Sequence, residues 1–450
     1  MIRSPRPLPA LAFALLLAGC ASYAPQPLAP DPALLAPPVA SVLQARADAI
    51  ARPWLAPVRI DLQAPLDDAA VAALAVVNGP DLVALRARSG IAEAQAFAAG
   101  LLPDPTFSLG ADKVLRGPDT LLNLSAALGF DLNALRTRAL TRAQANAQAR
   151  SVRLDLAWAE WQAAGQARLQ AARIRAYERQ LPPLRESAEA ASRLAEASLR
   201  AAARGDLAAD AAQAQRLAAL DAQTRLRTLE QDLLGARQAL NRLLGLPPDT
   251  TLVLAATAVA ETPPATLDAL FAQARAQRSD LAALRAGYDA QEAALHKAIL
   301  QQFPSLNLSL TGNRDSAGNL LLGPALDFTL PLWNRNRGNI AVETATRATL
   351  RAEYDARLFQ TRADLAAARE ALLLALRQRA AAQADAPALQ RQAAAARAAA
   401  RRGDLSQAAA EASTQAWRDR ALLLAQLDQT IAEHRIALEL LTGAPSENTP

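Results

Sequence analysis

The tetrapeptide Arg204-Gly205-Asp206-Leu207 returns 198 positions later as Arg402-Gly403-Asp404-Leu405. Two further landmarks return at the same offset: Phe130-Asp131-Leu132 as Phe328-Thr329-Leu330, and Leu243-Leu244-Gly245 as Leu441-Thr442-Gly443. A period of this length is far longer than the ~20–50 residues of solenoid repeats. We therefore predict an internal duplication of two complete subassemblies, the first over residues 67–262 and the second over residues 263–445.

Each copy also contains two stretches in which apolar and polar residues alternate. The alternation predicts strands at about 103–115 and 119–132 in the first copy, and at about 303–313 and 320–331 in the second. Such strands have one apolar and one polar face, since successive side chains point to opposite sides. In a soluble sandwich the apolar face would pack against a second sheet, whereas in a membrane barrel it would contact lipid. The lipid-facing candidates are Phe107, Leu109, Leu124, Leu128, Leu308, Leu310, Phe328 and Leu330.

The number of strands limits what one chain can build. Four strands are too few to close a membrane barrel. Strand edges that faced lipid would leave backbone hydrogen-bonding groups without partners. If these strands cross a membrane, several chains must therefore contribute to one barrel.

The rest of each copy has the composition and spacing of long helices. Ala, Leu, Arg, Gln and Glu dominate residues 134–245 and 335–443, and these residue types lose little entropy on becoming helical. Each stretch contains a heptad seam, which is typical of coiled-coil packing. The seam residues are Leu226, Leu229, Leu233, Ala236, Leu240 and Leu243 in the first copy, and Leu424, Leu427, Ile431, His434, Leu438 and Leu441 in the second.

The repeated tetrapeptides at 204–207 and 402–405 predict a turn within each helical stretch. Glycine readily adopts the conformation that ends a helix, and Asp206 and Asp404 are expected to cap the helix that follows. Pro182-Pro183 and Pro387 are expected to bend or interrupt the first helix of each pair. Each copy is thus predicted to be a helix, two strands and a helical hairpin.

The amino terminus has the pattern of a bacterial lipoprotein. A short apolar run ends at Ala18. It is shorter than the ~20 residues that a membrane-spanning helix needs. The run therefore indicates a signal peptide over residues 1–19. Leu17-Ala18-Gly19-Cys20 resembles the lipobox, in which Cys20 would become the lipid-modified terminus. The alternative is an ordinary signal peptide that happens to contain a cysteine. The Pro- and Ala-rich residues 20–66 predict an extended tether, and residues 446–450 a short tail.

Composition argues against several other classes of function. The 48 basic and 43 acidic residues are interspersed, and this does not indicate nucleic-acid binding. The sequence contains one cysteine and two distant histidines, so we expect no metal site and no cofactor. No Ser, Cys or His constellation and no G-x-x-x-x-G-K-[ST] loop is present, so we expect a protein that is not an enzyme.

Two junctions, taken with the duplication and the lipobox, resemble the TolC family of outer-membrane efflux proteins. They are Ala98-Ala99-Gly100-Leu101-Leu102-Pro103-Asp104-Pro105 before the first strand, and Leu330-Pro331-Leu332-Trp333-Asn334-Arg335-Asn336-Arg337-Gly338 after the last. The resemblance covers about residues 66–445, and the second junction is similar to the branch that serves heavy-metal and related pumps. The matching junction of the first copy, residues 132–138, lacks the Pro and the Gly.

The resemblance implies a mainly α fold with membrane β structure. A long coiled-coil α-helical barrel would extend through the periplasm, and a transmembrane β-barrel would be completed by trimerisation, with four strands per chain. The homotrimer would sit in outer-membrane lipid and passively conduct small molecules or ions from a periplasmic adaptor and an inner-membrane transporter of the RND type. The candidates for adaptor docking or gating are Arg204, Gly205, Asp206, Asp210, Arg402, Gly403 and Asp404. The alternative is a lipid-anchored periplasmic adaptor, which would carry one hairpin flanked by β-rich domains.

Overall fold

The structure, a computed structural model, describes residues 23–28, 30, 35–36, 38–50, 52, 54–55, 57–116, 122–258 and 260–444. The chain divides into two units, Met1–Pro37 and Pro38–Pro450. The described residues of the first unit form neither an α-helix nor a strand. The predicted signal peptide, the lipobox with Cys20 and the tail over residues 446–450 all lie outside the described residues.

Both copies contain the same elements in the same order. After α1 (Ala40–Ala49), the first copy contains α2 (Asp68–Asn78), α3 (Pro80–Gly100), β1 (Thr106–Lys113), β2 (Leu122–Asp131), α4 (Leu132–Ala203) and α5 (Ala209–Leu243). The second contains α6 (Leu267–Gln277), α7 (Ser279–Leu300), β3 (Leu306–Arg314), β4 (Leu320–Phe328), α8 (Arg337–Arg402) and α9 (Gln407–Thr442).

The long helices are continuous. α4 has 72 residues and α8 has 66, which at ~1.5 Å per residue makes each about 100 Å long. Pro182-Pro183 and Pro387 lie inside these helices, and neither helix ends there.

The heptad seams pack inside each hairpin. Leu233 and Leu240 of α5 share an apolar core with residues of α4, and Ile431 and Leu438 of α9 share another with α8. His434 is partly buried at its seam position. The seam spacing therefore gives the two helices of each hairpin one common apolar face, as coiled-coil packing requires.

The helix predicted at the start of each copy is divided into two short helices. The first division falls at Gly79, before Pro80, and the second at Arg278. The buried Asn78 side chain donates from Nδ2 to the carbonyl oxygens of Leu244 and Gly245, at 2.8 and 3.0 Å. In the second copy, Arg278 Nη1 donates to the Leu441 carbonyl at 3.2 Å. The last carbonyl groups of a helix have no partner within that helix. The residues at each division therefore donate to carbonyl groups at the end of the second hairpin helix of the same copy.

Gly245 and Gly403 form a matched pair for testing this packing. Both have positive φ, +63° and +85°, but a Cβ at Gly245 would lie 2.4 Å from the Asn78 carbonyl oxygen, whereas a Cβ at Gly403 would have nothing within 4 Å. Gly403→Ala should therefore cost only the ~1–2 kcal/mol of the left-handed conformation. We expect Gly245→Ala to lower the free energy of unfolding by clearly more, as measured by denaturation in detergent. Equal losses for the two variants would contradict the packing described.

The predicted tether is too long, because the chain is already folded from residue 38. Leu43 of α1 is buried, and Ile60 and Leu66 join the same apolar core, which also includes residues of α4. An extended tether would expose these side chains, and their burial is favourable. The structure therefore corrects the prediction for residues 38–66.

A buried carboxylate also holds this segment. Glu160 of α4 is fully buried and accepts from Arg52 Nε at 2.5 Å and from Arg86 Nη2 at 2.8 Å. A carboxylate without solvent is stable only when cations and hydrogen bonds compensate its lost hydration. Arg52 comes from the segment after α1 and Arg86 from α3, so Glu160 of α4 joins that segment to two helices of the first copy.

Among the described helices α2 is the most deeply buried, because every residue from Ala70 to Asn78 is buried. Among the described helices, none alone has the length and hydropathy needed to cross a membrane. α2 and α3 meet those limits only as a pair, and they are bent by 51°.

The four strands form one antiparallel sheet in the order β1-β2-β3-β4. The strands begin and end somewhat inside several of the predicted limits. Pro103 and Pro105 precede β1 and cannot donate to a neighbouring strand. At the other end, β2 stops at Asp131 because α4 begins at the next residue, where Asp131 Oδ1 accepts from the Ala134 backbone N–H at 2.8 Å.

Candidate functional site

One face of the sheet is continuously apolar. Leu128 pairs with Phe107 on one side and with Leu310 on the other, and Leu310 pairs with Pro324, so these four side chains share a face. The alternation then places on this face Phe107, Leu109, Ala111, Leu122, Leu124, Ala126, Leu128, Phe130, Leu306, Leu308, Leu310, Gly312, Leu320, Leu322, Pro324, Leu326 and Phe328. None of these residues is buried, and Leu109 and Leu322 are 74% and 76% exposed.

Seven of the eight residues predicted to face lipid lie on this apolar face. The eighth, Leu330, is exposed but follows the end of β4, so it lies outside the sheet. An exposed apolar surface of this extent is unusual for a soluble monomer and marks a surface that contacts lipid or protein.

The opposite face of the sheet is polar. The polar and small residues there are Thr106, Ser108, Gly110, Asp112, Asn123, Ser125, Ala127, Gly129, Asp131, Asn307, Ser309, Thr311, Asn313, Gly323, Ala325 and Asp327, together with Leu321. Its charged residues are three aspartates. Lys113 and Arg314 lie on the apolar face, at the end of the sheet that is farther from the long helices. Asp131, Asn307 and Asp327 are cross-strand neighbours. The polar face is therefore acidic, although the whole chain carries a net charge of +5.

The two outer strands of the sheet have unpaired edges. Within the described strands, β1 pairs only with β2 and β4 pairs only with β3. The outward backbone groups of an edge strand are free to pair with another chain.

The turns of the two helical hairpins, between α4 and α5 and between α8 and α9, have the same geometry. In the first turn, the Asp206 N–H donates to the Ala201 carbonyl at 2.9 Å and the Gly205 N–H to the Ala202 carbonyl at 3.0 Å. The second turn repeats both bonds at Asp404 and Gly403, at 3.0 and 3.2 Å. This is the Schellman pattern, in which a glycine with positive φ satisfies the last carbonyl groups of a helix.

The prediction that Asp206 and Asp404 cap the following helices is wrong. α5 begins after Ala208 without a side-chain cap, and α9 is capped by Ser406. Asp206 instead accepts from Arg204 Nε at 2.9 Å, and Asp404 accepts from Arg402 Nε at 2.8 Å. The aspartates lie too far before the helices to reach the first amide groups, so each forms an ion pair across its turn.

All seven docking or gate candidates lie at these turns. Asp210 is in the first turn of α5, where its carboxylate accepts from the Ala211 N–H. The candidates are exposed, and among the described residues no hydrogen bond or ion pair joins one turn to the other. The structure therefore presents two separate turns that are nearly identical in charge and backbone.

Sequence reasoning missed a buried charge cluster at the division between α6 and α7. The Arg278 guanidinium is bidentate to Asp280, at 2.9 and 2.7 Å, and lies 4.5 Å from the centre of the Trp158 ring. Burial raises the pKa of Asp155 on α4, the nearby Asp280 carboxylate raises that pKa further, and Arg357 lowers it. Only the short Arg-Ser-Asp spacing at 278–280 signals this cluster in the sequence. Among the described residues, no three His, Cys, Asp or Glu side chains are placed to hold a metal ion.

Solved structures with the same architecture are outer-membrane channels. CusC, whose structures concern transmembrane channel formation, superposes with a TM-score of 0.67 at 16% identity, over 84% of this chain and 92% of CusC. The chain shares their fold. VceC from Vibrio cholerae gives 0.66 at 15% identity over 83% and 95% of the two chains, and Campylobacter jejuni CmeC gives 0.66 at 15% over 83% and 84%. No family model and no curated protein sequence matches the chain.

The shared fold confirms the predicted fold class, mainly α with long helices and a four-stranded antiparallel sheet. It also confirms, at the level of architecture, the resemblance to the TolC family inferred from the sequence. At 15–16% identity the likeness concerns the fold, so the function of this chain must be argued from its own surfaces.

Proposed function

We propose that the chain is one protomer of an outer-membrane efflux channel. The observation that carries this proposal is the exposed apolar face of a four-stranded sheet whose two outer edges are unpaired. In a bilayer such a face is stable against lipid, and its polar opposite side would line water. The edges must then pair with other copies of the chain, because lipid cannot satisfy backbone hydrogen bonds.

A homotrimer is the assembly we infer. Three copies would bring β1 of one chain beside β4 of the next, closing a twelve-stranded barrel. The helices α4 and α8, each about 100 Å long, would continue the channel through the periplasm. Conduction is passive, and the small molecules or ions that pass are selected mainly by charge and size.

The energy for export comes from partners. The two hairpin turns, each with an Arg–Asp ion pair and an exposed Gly, would dock a periplasmic adaptor supplied by an inner-membrane transporter of the RND type. Closure of the channel would occur near the same turns, where the helices of three protomers converge. The chain itself is not an enzyme in this scheme.

The adaptor alternative accounts for less of the structure. An adaptor needs one helical hairpin and β-rich domains, whereas this chain has two hairpins of equal construction and one sheet with an exposed apolar face. The similar solved structures are outer-membrane channels, which also favours the channel.

Cys20 is proposed as the lipidated residue that anchors the amino terminus to the outer membrane. We expect the wild-type protein to incorporate radiolabelled palmitate and to purify in detergent with the mass of three chains. Cys20→Ala should lose the label but keep the trimer, because the barrel inserts independently of the acyl chains. An unlabelled wild type would refute lipidation, and a monomer would refute the trimer.

A further inference from the structure

Aromatic residues concentrate at one end of the sheet. The chain has only 8 Phe, 5 Trp and 4 Tyr. Six of them lie where the helices meet the strands, and all six are exposed: Phe97, Phe107, Phe130, Phe303, Phe328 and Trp333. The segments that connect β1 to β2 and β3 to β4, residues 113–123 and 313–321, contain none. Aromatic side chains favour the headgroup level of a bilayer, so this end of the sheet has the composition of a membrane interface.

The junction loop, residues 329–336, is exposed over most of its length. Trp333 is 92% exposed and Leu332 is 62% exposed. Arg335 and Asn336 both have positive φ, +47° and +54°, a conformation that costs free energy for residues other than glycine. The Asn336 side chain holds the loop by donating to the Ala298 carbonyl of α7 at 2.8 Å. The strained backbone is thus fixed in place with Trp333 and Arg335 directed away from the protein.

The guanidinium groups of Arg335 and Arg337 have no partner among the described residues. Both residues are exposed, and neither side chain forms a hydrogen bond or ion pair there, although the Arg337 backbone N–H donates to the Asn334 carbonyl at 3.0 Å. Arginines at the same end of the first copy are hydrogen-bonded within the protein. Arg136 donates to the Leu300 and Pro304 carbonyls, and Arg138 donates to the Leu101 carbonyl.

The junction loop also has no counterpart in the first copy. There α4 begins at Leu132, directly after β2. The second copy instead interrupts the chain between β4 and α8 for residues 329–336. The two copies therefore differ at this junction: the first has a direct strand-to-helix connection, and the second has a strained loop with exposed cationic and aromatic residues.

We propose that the junction loop binds the phosphate groups of anionic phospholipids in the periplasmic leaflet of the outer membrane. The inference rests on the proposed function, since it takes the apolar face of the sheet as the membrane surface. The loop continues that surface at its helix-proximal end, so Trp333 lies at headgroup depth. The guanidinium groups of Arg335 and Arg337 then pair with lipid phosphates, which match the fork geometry of arginine. Three such loops would fix the depth and tilt of the barrel from one side only.

The lipid preference is tested with the full chain in nanodiscs of phosphatidylcholine, with and without phosphatidylglycerol. We expect phosphatidylglycerol to raise the Tm of the wild type, and Arg335→Gln/Arg337→Gln to lose most of that increase. Arg391→Gln/Arg401→Gln is the matched control, since it removes two exposed arginines near the other end of the same helix, neither of which has a side-chain partner in the described part of the chain. An increase that survives in Arg335→Gln/Arg337→Gln, or is lost equally in the control, would overturn the proposal.

The depth of Trp333 gives an independent readout. The fluorescence of Trp333 is the difference between the emission of the wild type and that of Trp333→Phe. We expect this fluorescence to be quenched most by phospholipids brominated near the headgroup, and less by phospholipids brominated near the end of the acyl chain. No quenching in the wild-type trimer would mean that the neighbouring copy covers Trp333, and would overturn the proposal. These outcomes are separate from the proposed function, because conductance of the wild type and of the arginine variants in planar bilayers tests the channel directly.

Discussion

Leu310→Arg is expected to prevent the protein from accumulating in the outer membrane. Leu310 lies near the middle of β3, pairs with Leu128 and Pro324 on the apolar face, and is 47% exposed. An arginine near the middle of a lipid-facing strand costs ~2–4 kcal/mol, and a trimer would carry that cost three times. The sum is comparable to the whole stability of a typical domain.

Thr311→Arg is the matched control, because it introduces the same side chain one residue further along the strand. Thr311 belongs to the polar face, where its hydroxyl donates to the Gly323 carbonyl at 3.1 Å. We expect Thr311→Arg to insert and form trimers, with a reduced conductance. Membrane fractionation and trimer mass in detergent distinguish the two variants. Insertion of Leu310→Arg with failure of Thr311→Arg would mean that the faces are assigned the wrong way round.

We expect the channel to conduct cations in preference to anions, and the double variant Asp131→Asn/Asp327→Asn to lose most of this preference. Asp131, Asn307 and Asp327 are cross-strand neighbours at the helix-proximal end of the polar face, and three copies would place six carboxylates around the water-filled opening. A ring of carboxylates raises the local concentration of cations. Asn retains the helix-capping ability of Asp131, so the variant should remove charge without unfolding α4.

The measurement for this variant is the reversal potential in a KCl gradient. The wild type should favour K⁺ over Cl⁻, and the permeability ratio of the double variant should fall toward one. Asp249→Asn removes an exposed carboxylate from the segment between α5 and α6 and should leave the ratio unchanged. A wild type that prefers Cl⁻ would contradict the acidic lining.

The sequence was sufficient for the fold because two signals are long and periodic. The alternation in β1 to β4 assigned the faces of every strand, and the heptad seams identified the contact between the helices of each hairpin. An offset shared by distant landmarks then showed that both copies contain these elements. Such signals average over many residues, so single exceptions such as His434 do not disturb them.

Short-range features were harder to predict because several local solutions compete. Asp206 and Asp404 had the residue type of a cap, but Schellman turns shift the start of the next helix beyond their reach. The separation of α2 from α3 and of α6 from α7 depends on contacts with Leu244 and Leu441, which are distant in sequence. The folding of residues 38–66 likewise depends on Glu160, a partner about a hundred residues away.

The most direct test of the channel is the conductance of the purified full-length protein in a planar lipid bilayer. We expect discrete, stable current steps from a detergent-purified trimer, with no steps from a Leu310→Arg preparation handled in the same way. A water-soluble monomer that produces no current at any protein concentration would contradict the proposal that this chain forms an outer-membrane channel.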